Sequence, residues 1–230
     1  MKRVLNKAKL NALISVAAVA LLFPACRTTS RADVDSVVRW DDRPDVELAY
    51  PLDDESRAAP GRGKPKCPVV QLVMYEGDLV RYHRPVRVNP FFLDRLRLFE
   101  EVVREVAVEV YGRPPSAIRH FGTYNCRRVN GRPKLSEHAW GNAIDVSGFE
   151  FDAGRGGPVP EAFRINLLED WGKTRGVQRH HAVFLHRLAE RLAERPDIFR
   201  GMLGPGAAGH ADHFHFDVGP HRYIKIGSIR

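Results

Sequence analysis

His213-Phe214-His215-Phe216-Asp217-Val218 alternates polar and apolar side chains. Successive side chains of a strand point to opposite faces, so the alternation predicts a β-strand. His213, His215 and Asp217 share one face, and Phe214 and Phe216 share the other. The phenylalanines belong to a core, and the imidazoles line whatever lies on the open side. Just ahead stands His210-Ala211-Asp212. Far upstream lies a second unusual stretch, Ser136-Glu137-His138-Ala139-Trp140-Gly141-Asn142-Ala143-Ile144-Asp145.

Residues 142–151 read as another strand, with Ala143, Asp145 and Ser147 on one face and Ile144, Val146 and Gly148 on the other. Gly141 permits a tight turn that would bring His138 back over the sheet toward Asp145. Together the two stretches offer imidazoles and a carboxylate able to hold one Zn²⁺ with a position left open. An open position separates a catalytic zinc from a structural one. Such a metal lowers the pKa of a water to about 7 and polarises a carbonyl, and a nearby carboxylate or imidazole must then move protons. A His-x-His on a strand is by itself an ordinary structural feature. The weight rests on the combination of Ser-x-His-x-x-Gly-x-Ala-x-Asp with Asp-His-x-His.

The chain has 230 residues, 43% hydrophobic and 28% charged, enough for one well-buried domain plus extensions. Residues 1–25 differ from the rest. Lys2, Arg3, Lys7 and Lys9 precede an apolar run, Ala12 to Phe23, in which only Ser15 is polar. This is a bacterial-type export signal, too short for a comfortable membrane span. Leu22-Phe23-Pro24-Ala25-Cys26 resembles the lipobox of lipoproteins, so Cys26 is the expected lipidation site and anchor. Arg27 after it favours the outer membrane, facing the periplasm. The signal holds four Lys/Arg and no acid, so the formal +8 falls to +4 without it. A mildly basic exported domain suits an anionic wall or membrane surface rather than nucleic acid. With Cys26 lipidated, Cys67 and Cys126 remain as an even pair in an oxidising compartment, where a disulfide is expected.

Residues 26–66 read as a flexible tether, with an acidic cluster and a Pro/Gly/basic end. Trp40, Val46, Leu48, Tyr50 and Leu52 could still form a short element packed on the domain. The domain itself is expected over 67–230. Residues 69–75 read as a strand and 86–88 as a second. Asn89 then caps a helix, with Pro90 at its first position. Leu93, Leu96, Val103, Val106 and Val110 give that helix a core-facing stripe to about Tyr111. Residues 118–127 read as a strand and 180–194 as a helix. Helices interleaved with short strands suggest an α+β single domain, a small antiparallel sheet with helices on one side. His180, His181 and His186 read as solvated surface, and His83 and His120 as structural or surface residues. Trp171 is expected to pack under the site and Trp140 to wall a pocket.

Residues 122–127, 136–149, 199–205 and 210–217 carry a family resemblance. Within them, the motifs Ser136 to Asp145 and Asp212 to His215 resemble the LAS-type zinc peptidases, the D-alanyl-D-alanine carboxypeptidases and dipeptidases of bacterial walls. More closely, over residues 67–219, the chain looks like the extensin-like C-terminal domain family. The resemblance implies a peptidase-like fold with His138, Asp145 and His215 as zinc ligands. It places Asp212 as an acidic general base and His213 as a second catalytic imidazole. Arg127 would bind a substrate carbonyl or carboxylate, and Ser136, Tyr124, His210 and Trp140 would face substrate. Asp212 departs from the dipeptidases, which have glutamate there. Strict alternation also turns Asp212 away from the ligand face unless the strand begins after it; otherwise His213 is the better base. The implied activity is cleavage of peptidoglycan peptides by a monomer, as a D,D- or L,D-carboxypeptidase or cross-link endopeptidase. The alternative is a non-catalytic wall-binding lipoprotein that keeps a metal site.

Overall fold

In the computed structural model the described residues are 50–130, 132–155 and 157–227. The expected export signal, Cys26 and the first part of the expected tether lie outside them. A two-stranded antiparallel ladder comes first, β1 (Val73–Tyr75) against β3 (Val86–Val88), with β2 (Arg81–Tyr82) between them in sequence. The residue 69–75 strand is therefore realised only at its end. Asn89 accepts a hydrogen bond from the Phe91 N–H and starts a 3-10 turn, Pro90–Phe92. This runs into α1 (Leu93–Tyr111), which ends at Gly112 in the left-handed region. Leu96, Phe99, Val103 and Val106 form its buried stripe.

The main sheet has seven strands: β2, β4 (Ala117–Gly122), β5 (Ala143–Phe151), β6 (Phe163–Asn166), β7 (Gly201–Leu203), β8 (Phe214–Asp217) and β9 (Tyr223–Lys225). Its order is β2-β4-β5-β8-β7-β9, with β6 also on β5. The sheet is mixed rather than antiparallel, because β2 runs parallel to β4 and β7 parallel to β9. α1 lies between β2 and β4 in the chain, and a helical crossover returns the strand in the same direction. The strand expected over 118–127 stops at Gly122. α2 (Leu167–Asp170) is a single turn, and α3 (Gln178–Ala193) is the helix read at 180–194.

Phe214 and Phe216 are fully buried, as the alternation requires. Phe216 meets Phe99 of α1, and Phe149 of β5 meets Phe184 of α3, so both helices cover this face. Strict alternation fails within β5. Arg119 pairs with Gly148 but His120 pairs with Val146, so Ser147 is bulged. The extra residue shifts the phase, and Phe149 and Phe151 join Ile144 and Val146 in the core. Phe121 is bulged in the same way on β4, between the His120–Val146 and Gly122–Asp145 pairs.

The described fold begins ahead of Cys67. The Tyr50 hydroxyl donates to Asn142 Oδ1 at 2.9 Å, and Leu52 packs against the core. The Arg57 guanidinium pairs with Glu137 through bonds of 3.0 and 3.1 Å. Residues 50–59 thus pack on the domain instead of forming tether. Cys67 and Cys126 form the expected disulfide across 59 residues of sequence.

Candidate metal centre

Three side chains from two strands and one turn converge on the face opposite the phenylalanines. Asp145 on β5 stands directly across from His215 on β8. His138 arrives from a 3-10 turn, Glu137–Trp140. Ser136 caps that turn, its hydroxyl accepting from the His138 N–H, and Gly141 closes it at φ 68°. Only glycine adopts that angle without strain. The turn folds back as expected and aims the His138 ring at Asp145.

His138 Nε2 lies 3.1 Å from Asp145 Oδ1 and 3.1 Å from His215 Nδ1. His215 Nδ1 lies 2.9 Å from the same oxygen. The outer nitrogens are already engaged. His138 Nδ1 donates to the Thr123 carbonyl at 2.7 Å, and His215 Nε2 donates to Asp217 Oδ2 at 2.9 Å. Each ring therefore turns its other nitrogen inward, so two nitrogens and one carboxylate oxygen face each other. Three acceptor atoms this close need a positive charge between them. Ligands at about 2.1 Å around a tetrahedral ion are about 3.4 Å apart, near the triangle seen here. The carboxylate–imidazole pair behind His215 is the usual support of a metal-bound histidine. The group fits a divalent metal, with His138, Asp145 and His215 as its ligands.

Charge in the group is self-consistent. Burial opposes the Asp145 charge, but His138 and His215 outweigh it and hold the carboxyl far below its usual range. Burial also opposes charge on His215, yet Asp145 and Asp217 push its imidazole up to about 9. Without a metal, a proton supplies the positive charge.

The extensin-like protein C-terminus family matches residues 51–227, a span that contains all of these groups. The chain belongs to that family. No curated protein and no solved structure matches the chain.

In this extensin-like domain the other expected residues fall into two sets. β8 begins at Phe214, so Asp212 and His213 lie just ahead of the strand and are free of its alternation. His213 Nδ1 donates to Asp212 Oδ1 at 2.8 Å, and its Nε2 stands 3.7 Å from Asp145 Oδ1. Asp212 therefore stands behind His213 and does not compete with it for one face. The His210 ring lies 4.9 Å from His213 and 5.9 Å from His215.

The second set is placed elsewhere. Ser136 holds the turn that carries His138. Arg127 donates to the Arg128 carbonyl at 3.4 Å and to none of the three ligands. The Tyr124 ring lies under the Arg87 guanidinium, 5.8 Å away. Trp140 is buried with Ala59, Leu135 and Ala139 in a satellite core, with Arg57 over its ring, so it is not a pocket wall. His181, read as surface, is buried beside Asp170. His186 stacks on Trp171, and Trp171 meets Phe214 from beneath the site strand, as expected.

Four site residues escaped the sequence reading. Asp217 was legible as His-x-Asp on one strand face, but only as a member of that face. Thr123 acts through its carbonyl, which leaves no side-chain signal. Glu137 sits buried between Arg57 and the Asp217 charge. Phe121, 53% exposed on its bulge, stands edge-on to His213 at 5.6 Å.

Proposed function

We propose that this domain is a metal-dependent, zinc-type hydrolase that cuts peptide bonds of peptidoglycan outside the cytoplasm. The observation that carries this reading is the inward convergence of three acceptor atoms beside a second imidazole held by its own carboxylate. The relation to LAS-type peptidases rests on the residues that carry it, Ser136 to Asp145 and His210 to His215. The Cys67–Cys126 disulfide points to an oxidising, extracytoplasmic compartment. Among the described residues no helix is long and apolar enough to cross a membrane. Anchoring through Cys26 to the outer membrane belongs to the same proposal.

His138, Asp145 and His215 would hold the ion, which supplies Lewis acidity and an acidified water when bound. Asp212 fixes the His213 tautomer, with the proton on Nδ1, so Nε2 is the basic atom facing the ligands. His213 takes a proton from the attacking water and returns it to the leaving amine. Arg127 neutralises charge on the substrate by giving up its bond to Arg128, which is near the length limit for such bonds. Phe121 covers one side of the His213 ring and offers the substrate an apolar edge. A turnover device of this kind favours a hydrolase over a binding module with an idle metal site.

The test is digestion of purified wall sacculi by the metal-loaded chain, with His215→Ala and His213→Ala as controls. New muropeptides are expected from the unaltered chain alone. Free D-alanine would mark a carboxypeptidase, and loss of cross-links an endopeptidase. No release, with or without added zinc, would end the hydrolase reading.

A further inference from the structure

We propose that the lobe built from residues 58–66, 126–130 and 132–134 is a docking surface for the carboxylate-bearing strands of the wall. It takes its substrate class from the hydrolase reading above. These segments hold seven Lys/Arg and no Asp or Glu. That exceeds the +4 carried by the chain beyond residue 25, so the remainder is net negative. Segments far apart in sequence are fastened together by the Cys67–Cys126 disulfide, by the Ala58–Lys134 bridge and by the Ala59 N–H on the Pro133 carbonyl at 2.8 Å. Arg128 serves this fastening. Its guanidinium donates to the carbonyls of Ala59, Pro60 and Gly63.

Of the other six, Arg127 turns to the Arg128 carbonyl, and five are left for a partner. Arg62, Lys64, Lys66 and Arg132 are exposed and Lys134 is half-buried. Among the described residues none of these five makes an ion pair. Elsewhere on the molecule exposed arginines do find carboxylates, as Arg97 does with Asp78 and Arg164 with Glu150. Five like charges on one stapled platform repel each other until an anion settles on them. Between the segments lies an open depression of about 370 Å³, lined by Gly61, Val129, Asn130 and Arg132. It is shallow and its cations are spread out, which suits a repeating polyanion better than a single small ion.

The lobe also leads directly into the metal centre. The Arg127 carbonyl accepts from the Ser136 N–H at 3.0 Å, and the Asn125 N–H donates to the His138 carbonyl at 3.0 Å. A strand lying on the lobe passes the turn that carries His138. This adjacency favours substrate over a membrane surface as the occupant.

The test is co-sedimentation of the full chain with sacculi at graded salt, with chelator present so that nothing turns over. One arm uses sacculi whose carboxyls are capped as amides. A second uses the triple variant Arg62→Gln/Lys64→Gln/Lys66→Gln, and a third Arg132→Gln, each checked for an unchanged unfolding temperature. Binding is expected to weaken with salt, and roughly tenfold in the triple variant and on capped sacculi. Equal binding to capped sacculi, or by all variants, overturns the proposal. So does tighter binding to vesicles of anionic phospholipid, which would make the lobe a membrane-facing surface. Because binding is read without turnover, a chain that docks through the lobe yet releases no muropeptide refutes the hydrolase reading alone. A chain that cuts sacculi while the triple variant binds normally refutes only the docking surface.

Discussion

His215 Nε2 and Asp217 Oδ2 stand 2.9 Å apart, two residues along one strand and on the same face. The pair decides which nitrogen of His215 turns toward Asp145. Burial opposes the Asp217 charge, but His215, the Tyr223 hydroxyl and the Gly219 N–H outweigh it and keep the carboxyl ionised. Gly201 lies across the strand pair, and a Cβ there would overlap the carboxylate. The strand therefore carries both a candidate ligand and the group that orients it.

Asp217→Asn removes the charge and keeps the shape. Metal affinity is expected to fall 10- to 100-fold in competition with a chelator. The cooperative unfolding transition should survive, since the carboxamide fills the same space and its one oxygen still accepts on the His215 and Tyr223 side, at the cost of the Gly219 bond. Unaltered affinity would show that Asp217 does not support His215.

Metal binding should depend on pH in a set direction. His215 in the metal-free protein holds its proton up to about 9, and a ligand nitrogen must be bare. Apparent affinity should rise about tenfold per pH unit between neutrality and that value, then level off. The raised imidazole stabilises the metal-free fold fully below its ordinary 6.5, and this contribution is lost as pH rises through 9. Added metal should consequently raise the unfolding temperature more at pH 9 than at pH 7. A flat affinity profile across that range would contradict the assignment of His215 as a ligand.

Arg57 and Glu137 are both buried, and they join the leading segment to the turn that carries His138. Burial raises the Glu137 carboxyl despite the bonds from Arg57, and the nearby Asp217 charge adds to the rise. Arg57→Met strands that carboxylate and should cost about 3–5 kcal/mol in chemical denaturation. Adding Glu137→Gln should restore most of the loss. A chain beginning at Cys67 lacks Arg57 altogether and should be destabilised to a similar degree. Equal stability of the shortened and full chains would mean that residues 50–59 are dispensable.

The strands and candidate ligands that were legible in the sequence are those written in local alternation. Phe214 and Phe216 against His215 and Asp217 gave a face assignment that needed no knowledge of neighbours. The same rule misplaced the second half of β5, because the Ser147 bulge arises from register with β4 and leaves no local mark. The competition between Asp212 and His213 for one face dissolved once the strand was seen to start at Phe214. Trp140 was misread because its burial depends on Arg57 and Ala59, remote in sequence. β6, β7 and β9 are too short for periodicity to reveal, and β2 on β4 and β9 on β7 decide that the sheet is mixed.

Catalysis at this site depends on the three inward-facing atoms holding an ion. The direct measurement is metal content of the purified, metal-exposed chain after desalting, for the unaltered protein and for His138→Ala, Asp145→Ala and His215→Ala. One tightly held divalent ion per folded chain is predicted, with loss of that ion in all three variants. A folded chain that retains no metal, or variants that retain it undiminished, would contradict the account.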